Sequence, residues 1–383
     1  MLDKAKNSRN IKPMDEKRLN DFASAVMQDL DATAHCALSY IGDKLGLYKA
    51  MANAKDMELT CRELASFTST DERYVREWLA EQASKSYILY DPLTEKYKLP
   101  NEHAAVLADE TSSTFLAGGF QLVVSLLKQQ NKITRAFRKG DGIEWASHDK
   151  SVFEGQARLN GSLYRVNISK KWIPSLAGVE EKLCRPKGAR VADVGCGYGV
   201  STTAMAKSYP NSSFIGIDNH NLSIKIARER AKQQGLGNDE RLRFITARAE
   251  TFSKSYGYDL ITFFDCFHDM GNPIAVGRHI RNVLKPDGTL MLVEMSSSDK
   301  VEENINSPVG TNGYAGSILV CLPTAFAQMK KSKKIGTDSE LVDLPLGGMS
   351  GAKAIESLVR ACGFSKFRCA LKDDFNMILE ARP

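Results

Sequence analysis

The residues with most chemistry to offer stand in one run, Asp193-Val194-Gly195-Cys196-Gly197-Tyr198-Gly199. Glycines let the backbone turn tightly and let a ligand approach with no Cβ in the way. Spacing separates the ligand classes that such a loop serves. A phosphate-cradling loop needs G-x-x-x-x-G-K-[ST], and no Lys-Ser or Lys-Thr follows here. A dinucleotide fingerprint needs its third glycine at position 200, where Val200 stands. What remains is D-x-G-x-G-x-G. An acid so close to the loop repels a pyrophosphate and attracts an ammonium or a sulfonium. About twenty residues on, Phe214-Ile215-Gly216-Ile217-Asp218 ends in an acid placed to accept from both hydroxyls of a ribose.

A second chemical run is Phe263-Phe264-Asp265-Cys266-Phe267-His268-Asp269-Met270. Imidazole, with an ordinary pKa of about 6.5, is suited to take a proton at neutral pH. His268 is a candidate base; a helix-capping or carbonyl-bonding histidine is the structural alternative. Asp269 could orient the imidazole, cap the following helix or face the ligand of the glycine loop. Cys196 reads as a small residue between glycines rather than a nucleophile, since nothing nearby lowers its pKa. Cys266 reads as strand-end packing. The eight cysteines are scattered, with no C-x-x-C pair and no clustered histidines, so no metal site is expected. Reduced thiols of a cytoplasmic protein are the expectation.

These runs need elements to hold them. From residue 190 onward the pattern alternates strand and helix, the signature of a parallel sheet covered on both faces. Strands are expected at 190–194, 213–217, 242–246, 258–264 and 290–294, with helices at 201–208, 222–234 and 274–284. An irregular insertion, 295–350, precedes a helix at 352–361 and two closing strands, 366–371 and 375–381. Both chemical runs then sit at C-terminal strand ends, where open α/β sheets bind ligands. Upstream, residues 15–99 show helical periodicity. Thr60 and Glu63 form a capping box, a second helix spans 73–83, and Tyr87-Ile88-Leu89-Tyr90 pairs with Lys96-Tyr97-Lys98-Leu99 across an Asp-Pro turn. Helix, turn, helix and hairpin make a winged helix. Further helices are expected at 111–140 and 153–176, and the joint Arg185-Pro186-Lys187-Gly188 marks a boundary. The expected organisation is a tail (1–20), a winged-helix domain (21–110), pocket-forming helices (111–187) and a catalytic domain (188–383) with a lid insertion (296–350).

At these residues the chain resembles the class I S-adenosylmethionine-dependent methyltransferases, with the two-domain architecture of the plant O-methyltransferase type. It is most similar to a bacterial winged-helix group sharing a His-Asp-Met segment and a Pro-Val-Gly then Pro-Thr stretch. The resemblance implies a Rossmann-like seven-stranded sheet, mostly parallel with an antiparallel last strand, and S-adenosylmethionine as cofactor. It implies that Asp193, Gly195, Gly197 and Gly199 hold the amino-acid moiety and that Asp218 holds the ribose. Asn219 lies beside the adenine, and Cys196 and Asp265 are counted among the cofactor's neighbours. Where the family often has Asp-Ala-Glu this chain has Arg248-Ala249-Glu250, so adenine recognition passes to Ala249 or Glu250. A His-Asp-Trp segment supplies the base in plant-type enzymes, which puts His268 and Asp269 in the catalytic role. The acceptor, a small molecule, is expected among Tyr164, Arg165 and the insertion residue Tyr314, with Gly310, Gly313 and Gly316 making the insertion pliable. Methylation at oxygen is the leading expectation, with nitrogen and sulfur open. Members of the same architecture also perform cyclisation or decarboxylation.

Length and charge bear on the rival class, a winged-helix transcription regulator with a vestigial ligand domain. The 383 residues allow two domains, and 43% hydrophobic with 26% charged residues is globular composition. The longest apolar stretch, 115–127, is too short to span a bilayer and carries two glycines, and no membrane association is expected. The net charge is +6, but residues 1–150 hold 21 basic against 22 acidic residues and residues 151–383 hold 31 against 24. The expected recognition helix carries Asp71, Glu72, Glu77 and Glu81 against Arg73 and Arg76, ill-suited to a phosphate-lined groove. DNA binding is therefore not expected. The resemblance implies instead that this domain forms a homodimer. The basic excess, including Lys330, Lys331, Lys333 and Lys334, belongs to the catalytic half.

Overall fold

The structure, a computed structural model, describes residues 14–55, 58–253, 257–334 and 345–383. Most of the tail expected at 1–20 lies outside them, as do the side chains of Lys331, Lys333 and Lys334. The chain forms two compact units, Met1–Ala108 and Asp109–Pro383. The division falls near the expected end of the winged helix, and the helices after it belong to the catalytic unit.

In the first unit the long helix α1 (Glu16–Leu45) starts at the N-cap Asp15, whose carboxylate accepts from the Arg18 N–H, and stops at Gly46 in the left-handed region. It is followed by α2 (Leu47–Asn53), β1 (Glu58–Leu59), α3 (Cys61–Thr68), α4 (Glu72–Ser84), β2 (Leu89–Asp91), β3 (Lys96–Lys98) and α5 (Asn101–Leu107). The Thr60–Glu63 capping box opens α3. Gly42 lets α1 approach α4 closely, because a Cβ there would lie 2.2 Å from the Trp78 ring. The wing is three-stranded, in the order β1-β3-β2.

The second unit opens with α6 (Ala117–Leu127), α7 (Gln130–Lys139), α8 (Lys150–Asn167) and α9 (Val179–Cys184). The alternating part follows as β4 (Arg190–Val194), α10 (Val200–Ser208), β5 (Ser213–Asp218), α11 (Asn221–Gln233), β6 (Leu242–Thr246), β7 (Tyr258–Phe264), α12 (Pro273–Val283) and β8 (Leu284–Met295). The seven strands lie in the order β6-β5-β4-β7-β8-β10-β9, where β9 is Lys366–Lys372 and β10 Asn376–Arg382. From β4 to β8 neighbours are parallel, and β10 runs antiparallel to β8. The chain winds one way from β4 through β5 to β6 and the other way through β7 and β8. The crevice of such a sheet opens above β4, at that reversal.

Two departures from the sequence reading have clear causes. β8 starts six residues early, since Leu284 pairs with Tyr258 before the register shifts to Thr289 against Leu260. Pro286 and Gly288 sit in that bulge, as proline and glycine do in strands. The insertion is helical: α13 (Val301–Asn304), α14 (Gly310–Gly316), a π-helical turn (Ser317–Cys321) and α15 (Leu322–Lys334) precede α16 (Ala352–Ala361). Its glycines serve packing more than pliability. A Cβ on Gly310 would meet the Asn304 carbonyl at 2.0 Å, and one on Gly313 would meet Met349 Sδ at 2.3 Å.

Candidate active site

The glycine loop leaves β4 with Gly195, Gly197 and Gly199 all in the left-handed region, at φ 73°, 51° and 73°. Its backbone is pinned to the next strand: the N–H groups of Gly195 and Cys196 donate to the Ile217 carbonyl at 2.8 and 3.1 Å. The three glycines do different things. A Cβ on Gly195 would strike Cys266 Sγ at 2.6 Å and one on Gly199 would strike the Phe244 ring at 2.6 Å, whereas a Cβ on Gly197 meets nothing within 4 Å. Gly197 is the glycine with an open side.

That side faces a cavity of about 390 Å³. Gly195, Cys196, Gly197, Asp218, Asn219, Ala249, Glu250, Asp265, Asp269 and Tyr164 line it. Asp218 holds the loop by accepting from the Gly197 N–H at 2.9 Å and from the His220 N–H at 2.8 Å through its other oxygen. A carboxylate has about four lone-pair positions, so the diol of a ribose can still be accepted. Burial raises the Asp218 pKa against these backbone hydrogen bonds. At the adenine end expected from the sequence, Arg248 is tied to Glu250 at 2.9 Å. Trp145, Phe153 and His220 add an aromatic wall, with Phe153 centred 5.0 Å from each of the other two rings.

Five expected site residues stand outside that lining, His268, described below, being the fifth. Asp193 is 1% exposed and does not line the cavity. Its carboxylate accepts from Ser201 and Thr202 at 2.6 Å each and from Thr262 at 3.0 Å, fastening the start of α10 to β4 and β7. Burial pushes it up to about 6 against the pull of those hydroxyls. Gly199 is spent on the contact with Phe244. Arg165 lines a different cavity. Tyr314, away from the cavity lining, takes a hydrogen bond from Asn304 at 3.3 Å.

At the far end of the cavity the strand termini bring carboxylates together. Asp265 follows β7 with φ 49°, a strained value for a non-glycine residue. Its carboxylate accepts from Tyr164 Oη at 2.9 Å, which in turn accepts from Asn160 at 3.2 Å. Burial, then the Glu294 charge, pushes Asp265 up to about 6. His268 lies in a 3-10 turn, 3% exposed, and is absent from the cavity lining. Its Nδ1 pairs with Glu294 at the end of β8, and its Nε2 is 3.4 Å from Asp269 Oδ1. Burial alone would lower the imidazole pKa. Glu294, Cys321 and Asp269 together outweigh burial and raise it well above its ordinary value. The ring is thus held between two carboxyl groups that favour its charged form, and Asp269 is the member of the pair that reaches the cavity. Burial raises the Asp269 pKa, and its Oδ1 is turned to the imidazole, with no shorter hydrogen bond of its own. Nε2, Asp269 oxygen and Cys321 Sγ lie within 4.8 Å of one another.

The helical insertion closes this end, with Thr324, Ala327 and Gln328 of α15 lining the cavity. A Cβ on Gly142 would lie 2.0 Å from the Ala327 nitrogen, so glycine there admits α15. Sequence reasoning missed Glu294, Trp145 and Phe153 as site residues. Glu294 had a signal, an acid ending an apolar strand as Asp218 does; a lone Trp145 in a loop had none.

Comparison with known proteins agrees with this arrangement. Residues 186–335 match the family described as Methyltransferase domain, and residues 33–109 the Rv2258c-like winged HTH domain. A ubiquinone biosynthesis O-methyltransferase of Actinobacillus pleuropneumoniae serotype 5b is 31% identical over 105 residues, 27% of this chain and 44% of the relative. The chain thus spans about half the length of the curated relatives it matches. Among solved structures, the mitomycin 7-O-methyltransferase superposes with a TM-score of 0.66 at 15% identity, covering 96% of this chain and all of the other. Human N-acetylserotonin methyltransferase in complex with SAM gives 0.65 at 15% identity, covering 97% and 99%. At such identity the likeness is one of fold. No helix among the described residues is long and apolar enough to cross a membrane. A glycine loop that leaves Gly197 open, a half-buried Asp218 beside it and an acidic crevice suit a cationic nucleoside, and the chain joins a region that matches a winged helix-turn-helix domain family to one that matches a methyltransferase domain family.

Proposed function

We propose that the protein methylates a hydroxyl of a small molecule, with Asp269, rather than His268, as the group facing the acceptor. The observation that carries this is one continuous cavity running from Gly197 and Asp218 to Asp265 and Asp269. S-Adenosylmethionine, when bound, supplies a methyl group activated by the sulfonium. The chain's own part is alignment and proton handling. Asp218, Gly197 and the Ala249–Glu250 rim hold the nucleoside end. Tyr164, kept protonated by burial, fixes the Asp265 carboxylate at the wall where positive charge must be tolerated. Asp269, which lines the cavity, takes the acceptor proton, and His268, with Nε2 3.4 Å from Asp269 Oδ1, positions it together with Glu294. Helix α15 keeps water out, so much of the acceleration comes from holding the reactants in line.

The test is transfer of a labelled methyl group to a panel of phenolic, enolic and amine acceptors. Asp269→Asn should lower kcat on the order of a hundredfold while S-adenosylhomocysteine still binds. Equal turnover by Asp269→Asn and wild type overturns the assignment. The same carboxylates favour a second reading, an amine acceptor, and transfer confined to the amines of the panel would establish it. Binding of S-adenosylhomocysteine with no transfer across the panel would point to a non-methylating enzyme.

The winged-helix unit fits self-association better than DNA. Arg73 and Arg76 of α4 are engaged by Glu77 at 2.5 Å and Glu72 at 2.8 Å. Helix α1 leaves Leu19, Phe22, Val26, Met27 and Leu30 exposed, a stripe suited to a second copy of the chain.

A further inference from the structure

Behind the glycine loop, between α8, α10 and α11, opens a second cavity of about 310 Å³ whose lining has the opposite character. Arg158, Arg165, Lys207 and Arg230 stand around it, with Glu110 as the one carboxylate. Glu110 is committed to Arg158, accepting from its Nε at 3.2 Å and its Nη2 at 3.0 Å. The other three cations have neutral partners. Arg165 donates to the backbone carbonyl of Glu110, Lys207 donates to Gln234 Oε1 at 2.8 Å, and the Arg230 guanidinium lies 4.9 Å over the Tyr198 ring. Among the described residues none of these three forms an ion pair with a carboxylate.

Tyr198 supplies a second, independent observation. It is 5% exposed, its hydroxyl has no hydrogen-bond partner, and it lines this cavity. Buried polar groups are nearly always satisfied, so an orphaned O–H in the wall of a basic cavity is a donor without its acceptor.

We propose that this cavity binds a phosphoryl group. A phosphate carries about −1.5 to −2 charge on three strong acceptor oxygens, which matches Lys207 and Arg230, an Arg165 only partly offset by the nearby Asp109 and Glu110, and a phenolic donor. A carboxylate has one charge and two oxygens and leaves cations unmatched. The planar forks of Arg165 and Arg230 suit bidentate phosphate recognition, and Lys207 adds a point charge. The cavity has room beyond one phosphate, so a phosphate monoester fits as well as the free ion. None of its cations lines the first cavity, although Tyr198, Ala157 and Val200 border both, so the site does not rest on the methyl-transfer reading.

The test titrates the full chain, in phosphate-free buffer at ionic strength held constant with chloride, with inorganic phosphate and with phenyl phosphate. Calorimetry and the melting temperature are the readouts. Saturable binding is expected, weakened roughly tenfold in each of Arg230→Gln and Lys207→Gln. These side chains reach solvent, and the melting temperature in chloride alone checks that the variants fold. Tyr198→Phe, which removes only the hydroxyl, should weaken binding as well. Binding of both ligands, or of phenyl phosphate alone, assigns the phosphoryl group of a metabolite. Binding of inorganic phosphate alone assigns the free ion, and either supports the site. A response no larger than that of chloride, or one that survives in the Arg165→Gln/Arg230→Gln double variant, overturns it.

Discussion

Two glycines two residues apart should respond to the same substitution in opposite ways. Gly197 and Gly199 both have positive φ, 51° and 73°, so alanine at either position costs about 1–2 kcal/mol of left-handed strain. Only at Gly199 does the new methyl also collide. It would lie 2.6 and 2.8 Å from two Phe244 ring atoms and 2.9 Å from Ala227 Cβ. Both neighbours are buried, Phe244 at 5% and Ala227 at 0% exposure, so neither can yield into solvent. Overpacking of this kind adds roughly 1–3 kcal/mol, which puts Gly199→Ala at roughly 2–5 kcal/mol of destabilisation. Gly197→Ala should stop at the strain alone, but its methyl projects into the cavity. It should weaken S-adenosylhomocysteine binding by about tenfold or more, the equivalent of about 1.4 kcal/mol. Urea denaturation followed by circular dichroism and calorimetric titration separate the two effects. Equal stability of the two variants, or wild-type affinity in Gly197→Ala, would refute the division of labour within the loop.

Asp193→Ala leaves three buried hydroxyls without their acceptor; at about 1 kcal/mol each the catalytic unit should lose about 3 kcal/mol in urea denaturation, and a loss seen only in cofactor affinity would contradict the anchoring role. Asp265 gives a pH signature. Its folded pKa, up to about 6, exceeds the ordinary carboxylate value, so the folded state holds the proton more tightly. Its contribution is then full below about pH 4 and is lost as pH rises through about 6. Asp265→Asn should therefore flatten the fall in stability of the free protein between about pH 4 and 6, and an unchanged slope would count against a carboxyl whose protonated form the fold favours. Light scattering should find a dimer that Phe22→Glu with Leu30→Glu converts to monomer; a monomeric wild type removes the role given to α1.

The order of elements in the catalytic unit was legible because parallel strands buried on both faces read as apolar runs. Val191-Ala192, Phe214-Ile215 and Leu260-Ile261 each announced one, and a helical period followed the first two. The capping box at Thr60 and Glu63 was legible for the same reason, since it is local chemistry. What escaped was decided by tertiary contact. Nothing in Gly310-Thr311-Asn312-Gly313 favours helix, and its two glycines stand where a Cβ would strike Asn304 and Met349. Asp193 was read by its distance along the chain from the loop. The structure turns its side chain to the hydroxyls of Ser201, Thr202 and Thr262, two of which lie on the first turn of α10. Adjacency in sequence could not say which face of β4 the carboxylate would take.

The placement of charge also explains why this crevice takes one class of nucleoside and not another. Asp218 ends β5, Asp265 follows β7 and Glu294 stands near the end of β8. With β4 carrying the loop between β5 and β7, Asp218 and Asp265 line the crevice where the sheet reverses direction, and Glu294 lies buried behind them against His268. A dinucleotide in that position would set its pyrophosphate against them, and like charges in a low-dielectric crevice repel strongly. A sulfonium with an ammonium tail reverses the sign and lets Asp265 stay ionised at neutral pH. Cofactor affinity should accordingly rise as Asp265 titrates through about pH 6 and lie above that of neutral S-adenosylhomocysteine analogues lacking the amine. Calorimetric titration of the sulfonium cofactor across that range tests it, and an affinity flat from about pH 5 to 8 would show that the rim of acids serves the acceptor alone.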